Sequence, residues 1–507
     1  MIRRLPALLL CLTAAVPAAA GEQHPAPVWW ETVLGDTRLP VSRMYDTLNA
    51  ACELITEKSL IPVSASDLAF ESVKSLSSID GKINVVKDGK RVLILADGRI
   101  LKSFTAPADD DCADWSRLTL AAAVAARPYS GKAQKADAEE FFNIFLNAAL
   151  GAIDSYSHYT GADPADPVAL KNPAGVGINY RRIGKYLEIT EILPDTPAAH
   201  SDLTVGDRIS AINGRDIADL SRIEALNRLR GEEGTEVFLT LRRDGKPLSR
   251  ALKRGRITAS PVTYLFDEKS RLMTIRIAAF SQKTVSGLRV TLEKAEKLGA
   301  AGLIIDLRGN TGGLLKQAVL AADLFLPEGL SVIKTNGRAN GTRQEYTSTA
   351  KEKRPVYPIA LLVDSKTASS AEFFAGVLQE YRHGVVIGTP TFGKGVIQSD
   401  NDTPDGGHIY LTWARYTLPS GYSPQGYGIY PNLCTSGMTL SNVADALPVS
   451  QTQLKPWRQG DDSFKRKALA ACPPQPRKDN PVEDEVAKQI LTDPERYERS
   501  LTYFSLD

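Results

Sequence analysis

Gly302-Leu303-Ile304-Ile305-Asp306-Leu307-Arg308-Gly309-Asn310-Thr311-Gly312-Gly313 is the stretch on which the fold turns. Its apolar first half reads as a buried central strand, and its glycine-rich second half as the turn into a helix over about 314–325. Upstream lie a strand at 273–277 and an amphipathic helix at 285–298. Downstream, the apolar run 359–363 leads into a helix ending near Tyr381, and 385–387 follows as another strand. Strands alternating with helices across 257–435 imply a mostly parallel or mixed sheet, whose functional groups gather at the C-terminal ends of its strands.

Outward from this core the pattern changes twice. From about 170 short strands dominate: 175–180, an alternating run at 186–192, then 203–209 and 212–214, a helix over about 221–229 and a strand at 236–242. Gly206-Asp207-Arg208-Ile209 with Asn213-Gly214 resembles a PDZ domain of the bacterial protease-associated kind. Asp202 stands where such domains usually have glycine, and aspartate tolerates the left-handed turn expected there. The resemblance implies that the loop Gly175-Val176-Gly177-Ile178 holds a terminal carboxylate while the peptide adds as a strand. On residue chemistry alone the two glycines serve equally as a tight entry turn. Residues 40–165 read as largely helical, with periodic apolar positions around 44–55 and 141–149 and a hairpin about Ala96-Asp97-Gly98-Arg99.

The remaining 436–507 reads as a polar, proline-bearing extension with one helix over 483–491. At the other end, Arg3-Arg4, an apolar run over 5–16 and Ala18-Ala19-Ala20 form an export signal cut near Ala20, placing the protein in the periplasm or otherwise outside the cytoplasm. A retained N-terminal anchor is the alternative, and membrane association is not required. The expected domains are thus 1–20 (signal), 21–165, 166–256 (PDZ-like), 257–435 (core) and 436–507.

Composition narrows the function. A net charge of +2 over 507 residues, with no basic stripe, argues against a nucleic-acid partner. Four cysteines remain after cleavage, and an oxidising compartment permits two disulfides. Of three connectivities, Cys52–Cys112 with Cys434–Cys472 is the local pairing and the expected one. No Cys-x-x-Cys occurs and the five histidines are scattered, so neither metal nor cofactor is expected.

Two segments carry chemistry. Thr367-Ala368-Ser369-Ser370-Ala371-Glu372 puts hydroxyls where a strand gives way to a helix, and the helix N-terminus favours developing negative charge. A serine needs a base. His158, His383 and His408 sit in no supporting motif, leaving a Ser/His hydrolase as the weaker rival. Thr391-Phe392-Gly393-Lys394-Gly395-Val396-Ile397-Gln398 offers a lysine with the freedom to turn inward. Its pKa falls on burial, and Gln398 can accept from the amine and hold it.

Together with Thr417-Leu418-Pro419-Ser420-Gly421, 426–431 and Asp154-Ser155-Tyr156-Ser157-His158-Tyr159, these segments resemble the C-terminal processing peptidases, or tail-specific proteases, over roughly 150–435. The resemblance implies an α/β multidomain fold: a mixed α/β core of crotonase-like ββα units, an inserted PDZ-like β-rich domain and a mainly helical N-terminal domain. It implies a serine endopeptidase with Ser369 as nucleophile, Lys394 as general base and Gln398 as its positioning partner. The amide of Ser370 and one from Gly312 or Gly313 would form the oxyanion hole. Glu372, Asp306 and Arg308 match family positions and are read as structural. Because Ser370 stands where the family often has alanine, two adjacent hydroxyls compete for the nucleophile's role. The implied partners are proteins or peptides with accessible C-terminal tails, with an adaptor protein left open. The rival from another class is an inactive, PDZ-containing peptide-binding adaptor on the same fold.

Overall fold

The computed structural model describes residues 39–161, 174–192, 196–220, 222–256, 260–349, 356–445, 457–459 and 461–501. The export signal and the boundary near residue 165 lie outside them. The chain forms two compact units, one of residues up to 52 and 64–149, the other of 53–63 and 150 onward.

The first unit packs helices Ala65–Lys74, Cys112–Ala126 and Ala138–Gly151 with a three-stranded meander, Ile83–Asp88, Arg91–Ala96 and Arg99–Thr105. Ser64 and Asp111 cap the first two helices through their side chains. Asp97 and Gly98 both take positive φ, the geometry that a two-residue hairpin turn demands. Cys52 is joined to Cys112. Sequence reading missed the Ile83–Asp88 strand and the Cys112–Ala126 helix. The latter's buried Leu120-Ala121-Ala122-Ala123 run blurs the helical period.

The second unit is built on a six-stranded sheet in the order Val262–Asp267, Leu272–Ile277, Gly302–Asp306, Ile359–Val363, Val385–Gly388, Leu433–Cys434. Only the first pair is antiparallel. Gly302–Asp306 and Ile359–Val363 are buried along their whole length, as strands covered on both faces must be. Leu303, Ile305, Leu361 and Val363 face helices Thr284–Leu298, Leu315–Asp323 and Ser370–Glu380.

Ile304, Ala360, Leu362 and Ile387 face the other way, against Val482, Val486, Ala487 and Ile490 of helix Pro481–Leu491. Residues 481–501 therefore cover one face of the central sheet, while Ala468 and Cys472 join the apolar cluster on the other. The segment 461–501 is tied by the Cys434–Cys472 disulfide and holds two further helices, Asp462–Ala471 and Pro494–Leu501.

A second, antiparallel sheet, also absent from the sequence reading, runs Gln344–Thr347, Ser331–Gly337, His408–Thr417, Val396–Asp402, with His158–Thr160 added to the long strand. Residues 174–256 form a separate sheet in the order Lys246–Lys253, Glu236–Arg243, Arg208–Ile212, Tyr186–Ile192, Ile178–Ile183, with its own apolar core. Asp202 does not take the left-handed turn expected of it. It instead pairs with Arg250, while Gly206, at φ 96°, makes the reversal four residues on.

Candidate active site

The turn that carries Ser369 begins where Ile359–Val363 ends. Asp364 Oδ1 accepts from the amides of Gly309 (2.9 Å), Lys366 and Thr367 (3.0 Å each), and the Ala368 amide donates to Asn310 O at 2.9 Å. These bonds bring the chain to Ser369 at φ 55°, ψ −120°. An L-residue there costs about 1–3 kcal/mol, and such strain persists only where the surroundings over-determine it. A serine on a strained strand-to-helix turn has its hydroxyl pushed clear of the backbone, and Ser369 is partly exposed. Ser370, the first residue of helix Ser370–Glu380, is buried, and its hydroxyl donates to Gly313 O at 2.9 Å. The two serines are thus in unlike states.

The glycine pair divides its labour too. The Gly312 amide donates to Asn310 Oδ1 at 2.8 Å, and Asn310 is fixed in turn by donating to Ile277 O at 2.8 Å. That amide already has an acceptor, whereas the expectation left either Gly312 or Gly313 to serve the oxyanion hole. What Gly312 supplies is room: a Cβ there would lie 2.8 Å from both Ser369 Cβ and Ala368 O. Among the described residues, the amides of Gly313 and Ser370 meet no acceptor. The Ser370 hydroxyl bond ties the start of the helix to the Gly313 carbonyl.

Lys394 is half-buried in a loop that packs too tightly for side chains on its neighbours. A Cβ on Gly393 would meet Tyr427 N at 2.9 Å, and one on Gly395 would meet Gln425 N at 2.7 Å. Lys394 Nζ donates to Gln398 Oε1 at 2.5 Å and lies 5.4 Å from the ring centre of Tyr156. Gln398 Nε2 donates to Tyr156 O at 2.8 Å, so its amide is oriented with the oxygen toward the lysine. A register irregularity between Ile397 and Gln398 aims the side chain. Desolvation holds the Lys394 amine below the ordinary lysine pKa, against the opposing charges of Asp154 and Glu372.

Glu372 joins the two halves. Its fully buried carboxylate accepts from Ser369 N (2.7 Å) and Lys394 N (2.8 Å) on Oε2, and from Thr391 Oγ1 (2.6 Å) and Gly393 N (2.7 Å) on Oε1. Burial pushes its carboxyl up, and the Thr391 hydroxyl and the three amides pull it down. Asp306 and Arg308 form a buried bidentate pair, with 2.9 and 3.0 Å contacts, at the foot of the glycine turn. Sequence reasoning treated Glu372 as structural and gave Tyr156, Asn310 and Gln425 no part. The one signal for Tyr156 was its place in the 154–159 segment.

Residues 271–434 match the model of peptidase family S41, and residues 168–242 match that of the PDZ domain. The carboxy-terminal-processing protease of Bartonella bacilliformis is 32% identical over 308 residues, covering 59% of this chain and 70% of that protein. The chain belongs to peptidase family S41. A probable CtpA-like serine protease of Staphylococcus aureus is 30% identical over 296 residues, 58% of each chain; the chain is thus an S41-family protease with a PDZ domain. Among solved structures, the photosystem II D1 C-terminal processing protease matches at 25% identity and a TM-score of 0.34, over 57% of this chain and 81% of that one.

The other expected sites fall elsewhere in this S41 chain. Gly175 pairs with Gly255, Val176 is buried, and Gly177 at φ 82° lies against Thr196, where a Cβ would come within 2.2 Å. Ile178 opens the strand that stands last in the sheet's order among the described residues. His158 stacks on Tyr410 with its Nδ1 2.8 Å from Tyr156 O, and His408 contacts Asp400. Among the described residues no group of three or more His, Cys, Asp or Glu could hold a metal ion, and no helix is long and apolar enough to cross a membrane.

Proposed function

We propose that this protein is an exported endopeptidase that draws protein C-terminal tails to its PDZ domain and cuts them with Ser369 and Lys394. Ser369 Oγ attacks the scissile carbonyl and the neutral Lys394 amine takes its proton, with Gln398 holding the amine in place. The oxyanion of the tetrahedral intermediate accepts from the Gly313 and Ser370 amides. Lys394 returns the proton to the leaving amine, and then activates the water that hydrolyses the acyl-enzyme. The observation that carries this reading is the Glu372 carboxylate, whose one oxygen holds the backbone of Ser369 and of Lys394 together. The strained backbone of Ser369 and the occupied hydroxyl of Ser370 favour Ser369 as nucleophile.

The place of Ile178–Ile183 as the last strand of its sheet among the described residues, next to the Gly175–Ile178 loop, supports peptide capture by strand addition. Two disulfides support an oxidising compartment. Incubating the mature protein with an unstructured polypeptide tests the proposal. The wild type cleaves it, and Ser369→Ala and Lys394→Ala do not while remaining folded. A folded wild type that binds the tail and leaves it intact identifies an adaptor instead.

A further inference from the structure

Three loops make the site, and each leaves the C-terminal end of a different parallel strand: 307–313 after Gly302–Asp306, 364–369 after Ile359–Val363, and 389–395 after Val385–Gly388. Residues 473–480 have no helix or strand of their own. With the start of the helix that follows, they run across all three loops. The Gln475 carbonyl accepts from Ser365 N at 3.1 Å and from Thr389 Oγ1 at 2.9 Å, and the Gln475 amide donates back to Thr389 Oγ1 at 3.2 Å. The Arg477 amide donates to Asp364 Oδ2 at 2.9 Å, the same carboxylate whose other oxygen shapes the turn that carries Ser369.

Arg308 donates to Asn480 O at 2.6 Å and to Asp484 Oδ2 at 3.0 Å. Glu483, fully buried, binds Arg477 Nε at 2.7 Å and Thr435 Oγ1 at 2.5 Å, and lies 3.4 Å from Arg308 Nη1. At one end the segment is fixed by the disulfide from Cys472 to Cys434, and at the other by the apolar face of helix Pro481–Leu491. It lies wholly beyond residues 271–434, the part of the chain that matches the peptidase model.

We propose that Gln475–Asp484 is a clasp that positions the oxyanion, nucleophile and base loops relative to one another, with Gln475, Arg477 and Asp484 as its positioning residues. Buried networks of this kind hold a single geometry when every member is satisfied. A displacement of about 1 Å at a catalytic group is enough to cost about a hundredfold in rate. The clasp rests on the Ser369/Lys394 reading for its kinetic consequence but not for its structural one.

Thr389→Val removes the bond to the base loop at nearly constant volume, and Asp484→Asn weakens the bond to Arg308 at a partly exposed side chain. In the full-length mature protein, each variant lowers kcat about tenfold on a peptide substrate with KM within twofold of wild type, and Asp484→Glu restores most of it. Hydrogen–deuterium exchange supplies the second arm. Amides of 308–313, 364–370 and 389–394 exchange faster together in both variants. Faster exchange confined to 475–484, or a lowered melting temperature with wild-type kcat, overturns the clasp. If the wild type itself cleaves nothing, the Ser369/Lys394 reading fails and the exchange pattern alone decides on the clasp.

Discussion

Replacing Glu372 with glutamine tests the most heavily loaded group in the site. The carboxylate accepts four hydrogen bonds, two on each oxygen, and is fully buried. A glutamine amide nitrogen must replace one oxygen, so two donors lose their acceptor and face another donor. Turned one way, the amide abandons Ser369 N and Lys394 N. Turned the other way it abandons Gly393 N and the Thr391 hydroxyl, which already accepts from Ile429 N at 2.7 Å. Each stranded buried donor costs about 1–3 kcal/mol, hence about 2–6 kcal/mol for the pair. Part is offset because the variant no longer buries a charge, the effect that pushes the Glu372 carboxyl up.

A net loss of about 3 kcal/mol in urea unfolding is expected, within what a domain of ordinary stability survives. The activity loss should exceed it in consequence, since either orientation releases backbone at Lys394 or next to it: kcat falls at least ~100-fold at a temperature where the variant is folded. Circular dichroism, urea titration and steady-state cleavage of a peptide make the assay. Stability within about 0.5 kcal/mol of wild type together with wild-type kcat would refute the reasoning, because four satisfied donors could not then have mattered.

Three other substitutions separate parts of the account. Gly312→Ala sets a Cβ 2.8 Å from Ser369 Cβ at a backbone φ of 101°, and should abolish measurable cleavage with secondary structure retained. Ser370→Ala loses the bond to Gly313 O, costing about 1 kcal/mol in denaturant unfolding and leaving cleavage in place. Asp154→Asn removes a negative charge that raises the Lys394 pKa. The neutral amine is then populated at lower pH, so the rising limb of kcat/KM against pH should move toward acid. A move toward base contradicts the assignment of that limb to Lys394.

Much of this architecture is legible in the chain because local patterns and tertiary burial agree. Leu303–Ile305 and Ile359–Val363 are apolar at every position, which suits strands covered on both faces. The tail was misread for the opposite reason. Asp462–Ala471 and Pro494–Leu501 are rich in charged residues, and only a few of their residues are buried. Their place follows from the Cys434–Cys472 disulfide just past the first helix and from Tyr497 and Leu501 packing near Ile359, far off in sequence, which no local period encodes. Within the site, the spacing of Ser369 and Lys394 was readable, as was the turn that needs glycine at 312 and 313. The division between those glycines depends on which amide Asn310 takes. The linking part of Glu372 depends on a loop about twenty residues downstream folding back onto it.

Cleavage of an unstructured polypeptide by wild type, Ser369→Ala and Ser370→Ala, followed by mass spectrometry, tests the central claim most directly. The account predicts product fragments from wild type and Ser370→Ala, and intact substrate with folded Ser369→Ala. Fragments from Ser369→Ala with none from Ser370→Ala would contradict it, because the hydroxyl bound to Gly313 O would then be the one that attacks.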